Sequence, residues 1–148
     1  MIRTTRIRTL AIVLLTLSAS ARAELGGDAN SVQADQSGMK ATQQVTDTAH
    51  YTLHELQLPS GLQVREYAAG GTVFAVAWEG PELPDLQRLL GPYFPRYSDA
   101  ALQRAGRGSL SIRLPDLVVQ SGGHMRSFSG RAYLPDHMPE GVTPEGIQ

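Results

Sequence analysis

The sequence predicts an α+β fold: a single small domain, mainly an antiparallel sheet of about five or six strands, with one or two short helices. Alternating apolar and polar residues, separated by turns rich in glycine and proline, dominate positions 50–134. Only the stretch around Leu86, Leu89 and Leu90 places several leucines at helical spacing. The alternative is an all-β sandwich or small barrel, which a near absence of helix would indicate.

Residues 1–23 have the pattern of a secretory signal peptide. Three arginines precede an apolar run from Leu10 to Leu17, and small residues at positions 21 and 23 suit signal peptidase. The run is too short to span a membrane, which takes roughly 20 apolar residues. We expect cleavage between Ala23 and Glu24 and a periplasmic or secreted protein without a membrane span.

Residues 24–49 form a polar lead-in, in which Asn30 could cap a short helix over Ser31 to Ala41. The α+β domain then covers 50–134. It opens with a three-strand meander, because 51–58, 62–67 and 72–78 alternate or are apolar and are separated by turns. The third segment is apolar almost throughout, which predicts a central strand covered on both faces.

A helix is predicted over Asp85 to Leu90, after Pro84 and before Gly91. A second short helix is predicted over Asp99 to Ala105. Strands follow at 109–114, 117–120 and 125–134, with 121–124 as a hairpin connection and Gly130 as a bulge.

The segment 135–148 carries three prolines and two glycines. Prolines at this spacing remove main-chain donors too often for a helix or an internal strand. We therefore expect a flexible, extended tail.

Charge and cysteine content narrow the possible partners and the means of stabilisation. Loss of the four arginines of the leader from 13 basic residues leaves 9 against 14 acidic ones, a net charge of −5. The remaining arginines are scattered singly, so no basic stripe predicts nucleic-acid binding. The chain has no cysteine, so the domain depends on packing and hydrogen bonds instead of disulfides.

Several short motifs, taken together, resemble one family. The chain is similar to an uncharacterised family of short exported bacterial proteins, domain of unknown function 2844, over essentially the whole of 24–148. The resemblance implies no activity, cofactor or catalytic residue. It rests on Glu24-Leu-Gly-Gly27, Tyr51-Thr-Leu-His-Glu55, Val64-Arg-Glu-Tyr67, Val73-Phe-Ala-Val-Ala-Trp78-Glu-Gly-Pro81, Pro84-Asp-Leu86, Leu89-Leu-Gly-Pro-Tyr-Phe94, Gly123-His-Met-Arg126 and Phe128-Ser-Gly-Arg131.

No motif for a metal or cofactor is complete. His54-Glu55 begins like a zinc-protease motif, but Leu58 stands where the second histidine is required. The spacings of the four histidines match no compact ligand pattern, and we expect no metal and no cofactor. A hydrolase that uses His124 with Ser127 or Ser129 is the enzymatic alternative, although the chain has no Gly-x-Ser-x-Gly elbow.

Aromatic residues and arginines supply the candidate interaction surface. Because such side chains anchor protein interfaces, the leading hypothesis is a non-catalytic exported module that binds another envelope or exported protein. A small-ligand-binding protein, with a pocket lined by Trp78, Tyr67 or Phe74, is a further alternative. The candidate surface residues are Tyr93, Arg96, Tyr97, Arg126 and Arg131.

Overall fold

The computed structural model describes residues 24–29, 40–104 and 108–148. Within them, seven antiparallel strands form one open sheet, which is neither a sandwich nor a closed barrel. The strands in chain order are β1 (Thr42–Asp47), β2 (Thr52–Gln57), β3 (Gln63–Ala69), β4 (Thr72–Gly80), β5 (Leu110–Arg113), β6 (Val118–His124) and β7 (Ser127–Tyr133). Their order in the sheet is β1-β2-β3-β4-β7-β6-β5.

The sheet has seven strands instead of five or six because β1 lies in the predicted lead-in. Its sequence, Thr-Gln-Gln-Val-Thr-Asp, has a single strong apolar residue, Val45, so alternation gives no strand signal. Pairing with β2 supplies its main-chain hydrogen bonds. The helix predicted from residue 31 falls mainly on 31–39, outside the described residues. The predicted signal peptide, 1–23, lies outside them too.

The meander of β2, β3 and β4 confirms the predicted order of these strands. The hairpin connection at 121–124 was wrong, since β6 continues to His124 and the turn lies at Met125 and Arg126. Gly130 is not a bulge either, because β7 pairs in regular register on both sides. The register shift lies against β4, between Tyr67 and Ala68.

One continuous helical segment connects β4 to β5. It consists of α1 (Leu86–Leu90), a 3₁₀ turn at Gly91–Tyr93 and α2 (Phe94–Leu102). The Asp85 side chain caps α1 by accepting a hydrogen bond from the main-chain N–H of Arg88. The second helix begins five residues before its predicted start because Pro95 is compatible with a first helical turn. None of the described helices is long and apolar enough to cross a membrane.

The two faces of the sheet are covered by different parts of the chain. We call the first the helix face: Val64, Val76, Trp78 and Val119 pack there against α1 and α2. Leu25 is also fully buried there, and its main-chain N–H donates to the Leu89 oxygen at 3.0 Å. The predicted lead-in therefore begins inside the core.

The other face, the tail face, is covered in part by the segment 135–148. Ile147 is buried at 1% exposure among Tyr67, Phe74 and Tyr133, and Met138 and Val142 pack beside this cluster. The segment lies on the sheet instead of standing free of it, which corrects the predicted tail. Its prolines exclude long regular structure, as expected, while its spaced apolar residues supply the packing.

Candidate functional site

A row of polar side chains crosses the tail face beyond the part that the C-terminal segment covers. Directly paired residues on neighbouring strands share a face, so the register alone defines this row. It runs across six strands as Glu55, Arg65, Ala77, Arg131, Gln120 and Ser111. Two arginines flank the small Ala77 at roughly 10 Å from each other, which is two strand spacings.

Arg131 binds the C-terminal segment through its main-chain oxygens. Its Nε donates to Oε1 of Gln120 at 2.8 Å, which orients the guanidinium. Its Nη1 donates to the main-chain oxygens of Pro144 and of Ile147, the latter at 3.1 Å. This arginine, predicted as a surface contact for a partner, thus holds the 3₁₀ turn at Pro144–Gly146 and the residue after it in its own chain.

Arg65 acts in the same way from the other side of Ala77. Its Nη1 donates to the main-chain oxygen of Gln148 at 3.0 Å, and its Nε forms an ion pair with Glu55 at 3.1 Å. Tyr67 adds a second attachment, since its hydroxyl donates to the Gln148 oxygen at 2.9 Å and accepts from the Gln148 N–H at 3.2 Å. Burial raises the pKa of Tyr67, so the hydroxyl stays protonated as a donor.

A groove of about 510 Å³ lies beside this attachment on the uncovered part of the tail face. Ile147 and Gln148 form one wall, and residues of β3 to β7 contribute the rest, most of them small or polar, together with Trp78 and Leu110. We call it the tail-face groove and define it by Arg65, Arg131, Gln120, Ser129, Ser111 and Gln148. Its lining offers arginine and amide donors together with oxygen acceptors, which suits the main chain of an extended polypeptide.

The sequence-predicted cluster at 93–97 lies elsewhere, on the helical segment over the helix face. Tyr93 packs closely on Gly26, and Tyr97 is half-buried with its ring 6.0 Å from that of Phe94. Arg96 pairs with Asp116, and this hydrogen bond lowers the pKa of the carboxyl. Each of these side chains has a packing or pairing partner within its own chain. Their role as a partner surface stays a prediction.

The hairpin between β6 and β7 carries the residues of the enzymatic alternative. His124 pairs directly with Ser127, and Ser129 pairs with Glu79 on the same face. All four side chains are exposed, and no hydrogen bond joins them in the part of the chain that the structure describes. Arg126, the remaining predicted surface residue, sits exposed in the turn of this hairpin with a φ of 65°.

The other candidate sites do not assemble. No group of three or more potential metal-ligating side chains occurs among the described residues. Trp78 is buried on the helix face, whereas Tyr67 and Phe74 belong to the core of the tail face. The sheet therefore separates the three aromatic residues proposed to line a ligand pocket.

Sequence reasoning missed Arg65 and Gln120 as members of the site. Each follows a buried valine on its strand, and since successive side chains of a strand point to opposite faces, each lies on the face opposite to that valine. Their convergence depends on which strands are neighbours, and β7 lies between β4 and β6 although it is last in the chain. Local pattern carries no such information.

Comparison with known proteins yields a family and no further relative. Neither the curated proteins nor the solved structures contain a match to this chain. A family described as "Protein of unknown function (DUF2844)" matches residues 21–147. This match covers the whole described fold except its last residue and confirms the resemblance seen in the motifs, so the chain belongs to the DUF2844 family.

Proposed function

We propose that this protein is a non-catalytic exported module that binds an extended segment of another envelope or exported protein in the tail-face groove. One observation supports this most strongly: two arginines of the same face already hold the segment 144–148, which consists of a 3₁₀ turn at Pro144–Gly146 and the two residues after it, by donating to its main-chain oxygens. Main-chain recognition of this kind is used by proteins that bind peptides. The groove extends beside that segment with the same kinds of donors and acceptors.

A groove-blocking variant tests the proposal. Ser129 is exposed on β7 opposite Glu79, so the arginine of Ser129→Arg can pair with that carboxylate and lie across the groove. The matched control is Gln87→Arg, which adds the same charge to an exposed position of α1. In pull-downs from source-cell envelope fractions, we expect the partner of the wild type to be lost with Ser129→Arg alone. Equal capture by both variants would contradict the groove.

Export has a separate test. The burial of Leu25, two residues after the proposed cleavage site, supports a mature chain that begins at Glu24. Mass spectrometry of the protein from the periplasm or the medium should give a first residue of Glu24. A cytoplasmic protein that retains residues 1–23 would overturn the exported part of the proposal.

The strand register provides a test of one rival function, that of a hydrolase. His124 beside Ser127, with Ser129 opposite Glu79, brings a base, two hydroxyls and an acid to one exposed face. A hydrolase would lose at least 100-fold in ester hydrolysis with Ser127→Ala or Ser129→Ala. On our proposal, the wild type and both variants hydrolyse the ester no faster than buffer without protein does.

A further inference from the structure

The two edges of the sheet differ in how far they are protected from pairing with another strand. Unprotected edges invite a further strand, and proteins usually block them with short strands, charges, proline or a covering side chain. The β5 edge has two such features, because the strand has four residues and Arg104 donates to its Ser111 oxygen. The β1 edge has six residues, no proline and a single charged residue, Asp47.

The register shows which groups of β1 face outward. The Thr48 N–H donates to the Tyr51 oxygen, which makes this a hydrogen-bonded pair. Hydrogen-bonded pairs alternate along an antiparallel ladder, so Gln43, Val45 and Asp47 direct their main-chain N–H and C=O away from β2. No hydrogen bond from the described part of the chain reaches these outward groups.

We propose that β1 pairs with β1 of a second copy of this chain, antiparallel about a two-fold axis at Val45. Each outward residue then meets an outward residue: Val45 meets Val45, and Gln43 meets Asp47 at both ends. The three pairs would exchange about six main-chain hydrogen bonds. Val45, which is 52% exposed in the single chain, gains an apolar partner, and no like charges are opposed.

The protected β5 edge explains why we propose a dimer instead of an open-ended stack of copies. Pairing through β1 uses the same surface twice, so it closes at two chains. Continuation would need the β5 edge, where Arg104 occupies an outward oxygen. The inference is independent of the groove, because it concerns the opposite end of the sheet.

Cysteine substitution tests both the dimer and its register, since the chain contains no native cysteine. Directly opposed residues of an antiparallel pair lie within reach of a disulfide. Under mild oxidation, Val45→Cys should give a covalent dimer. Gln44→Cys should not, because Gln44 lies opposite Thr46 of the other copy. A covalent dimer with Gln44→Cys and none with Val45→Cys would overturn the register.

Val45→Pro provides the matching equilibrium test. Proline at position 45 removes only an outward N–H and leaves the bonds to β2 intact. Val45→Thr keeps that N–H and serves as the control. By sedimentation, we expect the wild type and Val45→Thr to dimerise with rising concentration, and Val45→Pro to raise the dissociation constant about tenfold. A wild type that stays monomeric, or a dimer that Val45→Pro leaves unchanged, would refute the proposal.

Discussion

Gly130 is a residue at which close packing depends on the absence of a side chain. It lies opposite Trp78, and a Cβ at this position would overlap the indole and approach the Gln120 oxygen to 2.7 Å. We expect Gly130→Ala to lower the free energy of unfolding by about 1–3 kcal/mol, because either the indole or β6 must move. Urea unfolding measures this change.

Gly146 provides the control for that substitution, since a Cβ there meets nothing within 4 Å. Gly146→Ala should change stability by less than about 0.5 kcal/mol. If both alanine variants unfold at the same urea concentration, the indole does not pack over Gly130.

We expect His54 to make stability depend on pH in the mildly acidic range. Burial lowers its pKa, with Asp47 opposing this effect, and its Nδ1 accepts a hydrogen bond from the Gln43 amide at 3.1 Å. Glu66 lies opposite it on β3. Only the unprotonated nitrogen can accept that bond, so the unfolded chain takes up the proton more readily than the folded one. The stabilising contribution is therefore present above the ordinary histidine pKa of about 6.5 and is lost as pH falls below it.

Replacement of this histidine isolates its contribution. Between pH 7.5 and pH 5.5, we expect the unfolding free energy of the wild type to fall more than that of His54→Gln. The glutamine side chain stays neutral over this range and can still pair with Gln43. Urea unfolding at both pH values provides the measurement, and parallel losses would assign the pH dependence to other groups.

The C-terminal segment is the element with the largest predicted effect on stability. Ile147 is buried at 1% exposure, so Ile147→Ala should cost about 2–4 kcal/mol. Glu145→Ala, at an exposed position two residues earlier, should cost less than about 0.5 kcal/mol. Thermal unfolding compares the two variants. An Ile147→Ala protein as stable as the wild type would restore the free tail that the prolines predicted.

At the scale of elements, the sequence was informative wherever a strand or helix has a strong pattern of its own. The alternation at 62–67 and the apolar run at 72–78 predicted β3 and β4 closely. Thr42–Asp47 has no such pattern and forms a strand because β2 offers it an edge. The segment 135–148 packs through apolar residues spaced between prolines, a spacing that matches neither a helix nor a strand.

At the scale of the whole molecule, the candidate site could not be predicted from the sequence, because its residues come together only through the order of the strands in the sheet. The aromatic residues of the predicted cluster at 93–97 pack against the helix face, and their role as a partner surface stays a prediction. Of the residues in the tail-face groove, Arg131 was singled out as an interaction residue and Ser129 for the enzymatic alternative, and the contacts of Arg131 come from β6 and from the end of the chain. In both cases, contacts with residues that are distant in the sequence determine where the side chains lie.

The central claim is that the uncovered part of the tail face binds another polypeptide. The most direct measurement is photo-crosslinking in source cells from p-benzoylphenylalanine at position 129, 87 or 97, followed by mass spectrometry. Positions 87 and 97 lie on the helical segment. We expect position 129 alone to crosslink to one defined segment of a partner protein. Crosslinks from position 97 with none from 129 would contradict the claim and assign the partner surface to the aromatic cluster.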